Sequence, residues 1–290
     1  MVDVKCVWKE PAILGEGPLW VARENAVYWV DIVSRNLHRY GLADESRRTW
    51  MFEEQVTSLS ARRQGGFVGT VRDGFAAIDL EANRVEPIAM PESDMPQNRF
   101  NDGKVDANGR YWAGSMDDGE KLETGCLYRL DNDLTLHKMD ENYAITNGPT
   151  FSKDGRTLFH TDTAKRTIFA FDLDENGAIS NKRVFIKLET EAEGYPDGMT
   201  VDSENCLWLC HFAGSRITRY SPERQVLEVI PMPVPNITSC TFAGPDLDTM
   251  YITTARHLLN ESDIKKYPLS GSLFSCKPGV TGLPTALFAG

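Results

Sequence analysis

This 290-residue sequence contains no apolar run approaching the roughly 18 residues that a membrane-spanning helix needs, so none is expected. Its start, MVDVKCVWKEP, has no basic segment leading into an apolar core, and no secretory leader is expected there. Positive charge is in deficit: 31 Lys and Arg stand against 42 Asp and Glu, a net charge of −11. Such a surface repels phosphate backbones and anionic lipid, so neither nucleic acid nor a membrane surface is an expected partner. Cysteine is thin, with six residues (Cys6, Cys126, Cys206, Cys210, Cys240, Cys276) spread over the whole length, unlike a disulfide scaffold. Cys206 and Cys210 have no second Cys/His pair nearby and read as buried thiols, not zinc ligands. A reducing, cytoplasmic compartment is expected. The chain also lacks Gly-x-Ser-x-Gly and His-x-x-x-His, which removes the commonest serine-hydrolase and zinc signatures. Sustained helical periodicity is scarce as well.

What is present is a repeat of short β-type runs. VYWVDI, GFVGTV, YWAGSM, LFHTDT, LWLCHF and MYITTA resemble one another and are bounded by Gly, Asn, Asp and Pro. Aligned on Trp29, Val68, Trp112, Phe159, Trp208 and Tyr251, they are separated by 39, 44, 47, 49 and 43 residues, the length of a four-stranded propeller blade. About a dozen residues earlier lies a second strand in each repeat: GEGPLW, TSLSAR, NDGKVD, NGPTFS, DGMTVD and TSCTFA. Turn sequences such as DANG at 106–109, KDG at 153–155 and DSEN at 202–205 join the two, and CLYRL at 126–130, TIFAFD at 167–172 and SRITRY at 215–220 supply further strands. The fold expected is all-β, a six-bladed β-propeller of four-stranded blades forming a single domain over residues 1–290. The last repeat has strand material at 272–276 and 286–288. The N-terminal strand at 4–8 is expected to join that blade and close the ring, because an unpaired edge invites association. A monomer is expected.

The first strand of every propeller blade lines the central channel, so equivalent repeat positions converge there. Counting back from the markers, those positions hold Glu16, Asn101, Asn147 and Asp197, with Thr57 or Ser58 in the second repeat and Thr238 or Ser239 in the sixth. Two carboxylates and two carboxamides in a narrow channel form an oxygen-rich set suited to one divalent cation. Glu16, Asn147 and Asp197 are the best ligands, and Asn101 binds directly, through water or through substrate. The alternative is that Asn-Gly and Asp-Gly here are ordinary turns, although Glu16-Gly17-Pro18 fits a turn poorly. His160 and His211 end marker strands and read as packed histidines; the tryptophans read as blade-packing residues.

LGEGPLW, RFNDGKVDANGRYWAGSM, TNGPTFSKDGRTLFHTDT and YPDGMTVDSENCLW resemble, in this order, the senescence-marker-protein (regucalcin)/gluconolactonase family, over about residues 10–256. Bacterial sugar lactonases are the branch most similar. The resemblance implies a six-bladed propeller that hydrolyses aldonolactones, such as xylono-, arabinono- or gluconolactone, with one divalent metal in the channel. It assigns metal binding to Glu16, Asn147 and Asp197, acid/base catalysis to Asp197, and substrate binding to Arg99 and Asn101. One of Asp117, Asp118 and Glu120 is implied to reach the substrate hydroxyls. The donor set suits Ca²⁺, Mg²⁺ or Mn²⁺, while the family includes Zn²⁺ and Fe²⁺ enzymes, so the ion is open.

Ester hydrolysis needs a polarised carbonyl, an activated water and a stabilised oxyanion. The metal would serve the first and last, and Asp197 would move the proton. Metal-bound hydroxide is the other candidate nucleophile. Arg99 either holds substrate or forms an ion pair with a loop carboxylate. Alternatives to the lactonase are a calcium-binding regulatory protein, a propeller scaffold and a phosphotriesterase-like hydrolase.

Overall fold

The computed structural model describes residues 2–290 as six four-stranded sheets arranged as the blades of a β-propeller. The innermost strands of blades 1 to 6 are Gly15–Val21, Ser58–Ala61, Asn98–Val105, Thr146–Phe151, Tyr195–Val201 and Ile237–Ala243. The second strands are Ala26–Asp31, Phe67–Val71, Tyr111–Asp117, Thr157–Asp162, Leu207–Phe212 and Thr249–Thr254. All six marker residues of the sequence repeat lie on second strands and are buried. A second strand is covered by neighbouring blades on both faces, so AVYWVD is buried at every position, whereas the outer strand RRTWM is exposed at four of five. Continuous apolar runs therefore mark second strands, and polar alternation marks outer ones.

The hairpins between first and second strands carry a recurring polar device. Asp106 accepts hydrogen bonds from the backbone of Asn108 and Arg110 through Oδ1, while its Oδ2 receives Arg110 Nε (2.6 Å) and Trp112 Nε1 (2.9 Å). Asp202 does the same in blade 5 with the backbone of Glu204 and Cys206, Arg219 Nε (2.7 Å) and Trp208 Nε1 (2.9 Å). A turn aspartate thus satisfies both its own hairpin and the buried indole beside it.

The ring closes as the sequence implies. Lys5–Trp8 pairs antiparallel with Leu273–Cys276 and is the outermost strand of blade 6. Trp8 is buried, meeting Trp29 of blade 1 edge-on at 5.7 Å and His38 at 5.1 Å, while Arg47 Nη2 donates to the Val7 carbonyl (2.8 Å). The expectation for 286–288 is corrected: these residues are not a strand of blade 6. The N-terminal strand already fills the outer position there, and Pro278, Gly279, Gly282 and Pro284 interrupt any further strand. Instead the tail crosses the end of the channel where the inner strands finish. Gly282 bridges Asp202 of blade 5, Phe288 bridges Arg62 beside blade 2, and the Ala289 amide donates to the Gly109 carbonyl at blade 3. The buried Phe288 ring anchors the tail in the cluster containing Val68, Phe100 and Tyr111. All six cysteines are free thiols, and no helix among the described residues is long and apolar enough to cross a membrane.

Because Trp8 joins the last blade to the first, Trp8→Ala is expected to cost about 3–5 kcal/mol. The cost should appear as a lower denaturant midpoint with the slope retained; a midpoint unchanged from the parent would show that closure does not depend on this indole.

Candidate active site

Five inner strands lose their regular register at the residues that the repeat singles out; in blade 6 the slip falls between Ile237 and Ser239, and the other four are built alike. The pairing slips between Glu16 and Leu19, Phe100 and Gly103, Asn147 and Thr150, and Pro196 and Met199. Such bulges re-aim side chains and increase local twist. A glycine sits in each one: Gly17 (φ +52°), Gly103, Gly148 (φ +71°) and Gly198. At Gly198 a Cβ would stand 2.3 Å from Ser239 Oγ and 2.8 Å from the Thr238 carbonyl, so no side chain fits between blades 5 and 6 there. The Glu-Gly, Asp-Gly and Asn-Gly pairs are thus bulges within strands, not turns. Blade 2 keeps a regular inner strand, and its Thr57 and Ser58 hydroxyls are engaged with Thr70 and Tyr111. In blade 6, Thr238 Oγ1 donates to the Gly15 carbonyl (2.6 Å).

Glu16, Arg99, Asn101, Glu120, Asn147 and Asp197 line one cavity of about 380 Å³ at the end of the channel where the inner strands begin. The carboxamides are held in a directed chain. Asn147 Nδ2 donates to Thr163 Oγ1 (2.9 Å), whose own hydroxyl donates to the Pro196 carbonyl (2.8 Å). That order leaves Asn147 Oδ1 as the acceptor of the amide. Asn101 Nδ2 donates to Asn147 Oδ1 (3.0 Å) and to the Thr146 carbonyl (2.7 Å), while its Oδ1 receives Arg99 Nη1 (2.6 Å). Arg99 also donates through Nη1 to the Phe100 carbonyl (3.0 Å) and through Nε to Asp118 (2.9 Å), leaving Nη2 without a partner among the described residues.

The three acidic loop residues separate by role. Asp117 is buried and turned back onto the amides of Lys121 and Leu122, which hold its carboxyl below the ordinary range. Asp118 bridges Arg99 and Arg72. Only Glu120 lines the cavity, 3.7 Å from His257 Nε2, which together with Arg99 holds it ionised below its ordinary range. His257 was not marked by the repeat, although it follows the sixth marker strand. Its backbone is fixed by the Ile13 carbonyl (2.8 Å) and by Asn236 Nδ2 (2.8 Å). Asp102, next to Asn101 in the same two-residue bulge, was missed too; it does not line this cavity but a second space farther along the channel, together with Lys104. Two successive residues in one bulge can both turn inward, and that is the signal that would have found it. His160 and His211 are buried and their rings lie away from the cavity, His160 against Tyr143 and His211 on the Glu193 carbonyl.

Three carboxylates now share the channel. Burial, with Asp102 adding to it, pushes the Glu16 carboxyl up to about 8. Burial lifts Asp102 to about 6 and raises Asp197 well above its ordinary range, with Glu16 and Asp102 contributing to the latter. No Lys, Arg or His pairs with Glu16 or Asp197 within 4.0 Å among the described residues. Asp197 Oδ1 is buried without any hydrogen-bond partner. The described residues gather no cluster of three His, Cys, Asp or Glu. The donor set here consists of two carboxylates completed by the Asn147 carboxamide oxygen, and these hard oxygens fit a divalent cation.

A propeller with a polar pocket floored by carboxylates and carboxamides at one end of its channel is the class that fold and site define. The chain belongs to the SMP-30/gluconolactonase/LRE-like family, whose sequence model matches residues 14–256. It is 35% identical to a 6-deoxy-6-sulfogluconolactonase of Pseudomonas putida, over 99% of each chain. It is also 35% identical to a regucalcin of Oryctolagus cuniculus, over 100% of this chain and 99% of the other. A crystal structure described as a calcium-binding protein, regucalcin, from Agrobacterium tumefaciens str. C58 superposes with a TM-score of 0.94, at 26% identity over 99% of this chain and 97% of that one.

Glu16 binds a proton more readily in the fold than in the unfolded chain. The stability this provides is present below about pH 4.5 and is lost as pH rises through about 8. In chelator-treated protein the melting temperature is therefore expected to fall across this window. The increment restored by a divalent cation should grow over the same window, by several degrees. Thermal unfolding with and without the ion checks this, and an equal increment at both ends would contradict it.

Proposed function

We propose that the protein is a divalent-metal-dependent hydrolase of sugar-acid lactones, opening an aldonolactone to its aldonic acid in carbohydrate catabolism. The whole chain would act as one catalytic unit, a monomer in the cytoplasm. The observation that carries the reading is Asp197, whose buried Oδ1 has no partner, lining the same cavity as Glu16, Asn147 and Arg99. Lactonase names among relatives of full length support it.

Glu16, Asn147 and Asp197 would hold the ion, which when bound supplies Lewis-acid polarisation of the lactone carbonyl. Arg99 Nη2 donates to a substrate oxygen, its fork kept rigid by Asp118 and Asn101. Asn101 acts through others, since its donors and acceptor are engaged with Thr146, Asn147 and Arg99. Glu120 accepts from a ring hydroxyl. Asp197 takes a proton from the attacking water as the new C–O bond forms, and returns it to the ring oxygen as the ester C–O bond breaks. The product is an acyclic hydroxy acid, which ionises in water.

The oxygen-only donor set also suits a calcium-binding regulatory protein, the second reading. Turnover separates the two. Asp197→Asn is expected to lower kcat/KM on aldonolactones by about 10²–10⁴-fold, and chelation to abolish activity until a divalent ion is returned. If no aldonolactone were hydrolysed with Ca²⁺, Mg²⁺, Mn²⁺, Zn²⁺ or Fe²⁺, the lactonase reading would be wrong.

A further inference from the structure

We infer that Thr163 is a positioning residue of the ion site. Its single hydroxyl proton fixes which end of the Asn147 carboxamide can serve as a ligand, and the same hydroxyl ties down the segment that carries Asp197. This inference rests on the metal-dependent reading above and concerns a residue that acts through two of the three ion-holding side chains.

Thr163 departs from the repeat. The fourth residue after each marker is Val33, Arg72, Met116, Thr163, Phe212 or Ala255, so blade 4 alone carries a hydroxyl there. Met116 and Phe212 line the cavity together with Thr163, but without a hydrogen-bond donor. The Thr163 backbone is held on both sides: its amide donates to the Ile145 carbonyl (2.9 Å), and its carbonyl accepts from the Arg166 amide (2.9 Å). The side chain is buried, and a β-branched residue has few rotamers. The hydroxyl therefore has a defined place between blades 4 and 5.

The direction of each hydrogen bond follows from groups that have no choice. The Pro196 carbonyl can only accept, so the Thr163 proton is spent there (2.8 Å). Toward Asn147 the same oxygen can then only accept, which requires Nδ2 on that side (2.9 Å). At the other end of the chain, Arg99 can only donate and the Thr146 carbonyl can only accept. Asn101 must therefore place Oδ1 on Arg99 and Nδ2 on Thr146, and Nδ2 is also the atom that meets Asn147 Oδ1 (3.0 Å). A flipped Asn147 amide would set nitrogen against nitrogen at Asn101, and two oxygens with no proton between them at Thr163. Both faults would fall in a buried site, where an unmade hydrogen bond is costly. The carboxamide oxygen has two lone pairs, one for the Asn101 proton and one for an ion.

The same hydroxyl acts on Asp197. The Pro196 carbonyl directly precedes it, in the strand whose register slips just beyond Pro196. From the turn at 163–166, Arg166 also lies over the Tyr195 ring at 4.5 Å. One turn of blade 4 thus grips both residues that lead into Asp197, and ligands held in place beforehand lose less freedom when an ion binds.

The test is calorimetric titration of chelator-treated protein with Ca²⁺, Mg²⁺, Mn²⁺ and Zn²⁺. The parent is compared with Thr163→Val, which keeps the shape and removes the hydroxyl, and with Thr163→Ser, which keeps the hydroxyl. Thr163→Val is expected to bind the ion about 10–100-fold more weakly, the usual effect of removing a group that orients a metal ligand. Thr163→Ser is expected to stay close to the parent. An equal loss in both variants would assign the effect to packing and overturn the inference, as would parent affinity in Thr163→Val. If Thr163→Val does not fold, NMR of the parent with isotopically labelled asparagine decides. One Asn147 side-chain proton, held on Thr163, is expected to exchange slowly with solvent, and fast exchange of both would overturn the inference. If the parent itself binds no divalent ion, the metal-dependent reading falls and this inference with it.

Discussion

Glu16, Asp102 and Asp197 meet in a channel that excludes most water, and three ionised carboxylates cannot persist there unaided. The protein answers this unevenly. Asp102 accepts from the Gly103 and Gly148 amides (2.7 and 3.1 Å) and has the half-buried Lys104 nearby. Glu16 receives one amide, from Gly17 (3.1 Å), with Arg99 at longer range. Asp197 Oδ1 receives nothing. The unmet demand for positive charge is therefore focused between Glu16 and Asp197, beside the Asn147 oxygen. A cation would complete an oxygen cage with this imbalance, as the proposed function requires, whereas a structural ion pair would have brought a Lys or Arg into contact.

The imbalance depends on breaking the propeller's own regularity. A strictly repeating inner strand would present alternate side chains to the channel, and blade 2, whose register never slips, contributes only hydroxyls bound to their neighbours. The bulges of blades 1, 3, 4 and 5 carry Glu16, Asn101, Asn147 and Asp197, which line one cavity. The glycine in each bulge allows backbone and neighbouring blade to approach. The functional departures from symmetry are confined to the ends of strands whose remaining length packs like any other blade, so the site is carried on rigid elements.

This arrangement explains what could be read in the sequence. The repeat was legible because second strands are buried on both faces, which forces large apolar residues to recur at blade spacing. The ring positions Glu16, Asn101, Asn147 and Asp197 were legible because they lie 11 to 13 residues before those markers. Asp102 was not, because a repeat alignment places one residue per blade in the channel, and only the bulge admits two. The acidic loop was ambiguous for a different reason. Asp117, Asp118 and Glu120 are close in sequence and alike in chemistry, and their roles diverge through backbone amides and arginines that no local pattern announces. His257 reaches the cavity from a loop tied down by Asn236 and Ile13, contacts distant in sequence. The segment at 286–288 misled because an apolar tripeptide resembles strand material, while the outer place in its blade was taken by the other end of the chain.

That displaced tail bears on how the site works. Having no place in blade 6, it crosses the finishing ends of the inner strands, where Leu283, Pro284 and Ala286 line a second space of about 310 Å³ that also contains Lys104. With that end crossed by the tail, the cavity holding Glu16 and Asp197 lies toward the opposite mouth. Two loops border that mouth. The loop shaped by Asp117 presents Glu120, and the loop after the sixth marker strand presents His257 and Leu258. The carboxylates and carboxamides are therefore fixed by strand bulges, while the mouth is bordered by loops whose residues can change without disturbing a blade. A fold built this way can keep one set of strand bulges and vary the loops at the rim, so full-length similarity to a 6-deoxy-6-sulfogluconolactonase does not by itself fix which molecule the rim admits.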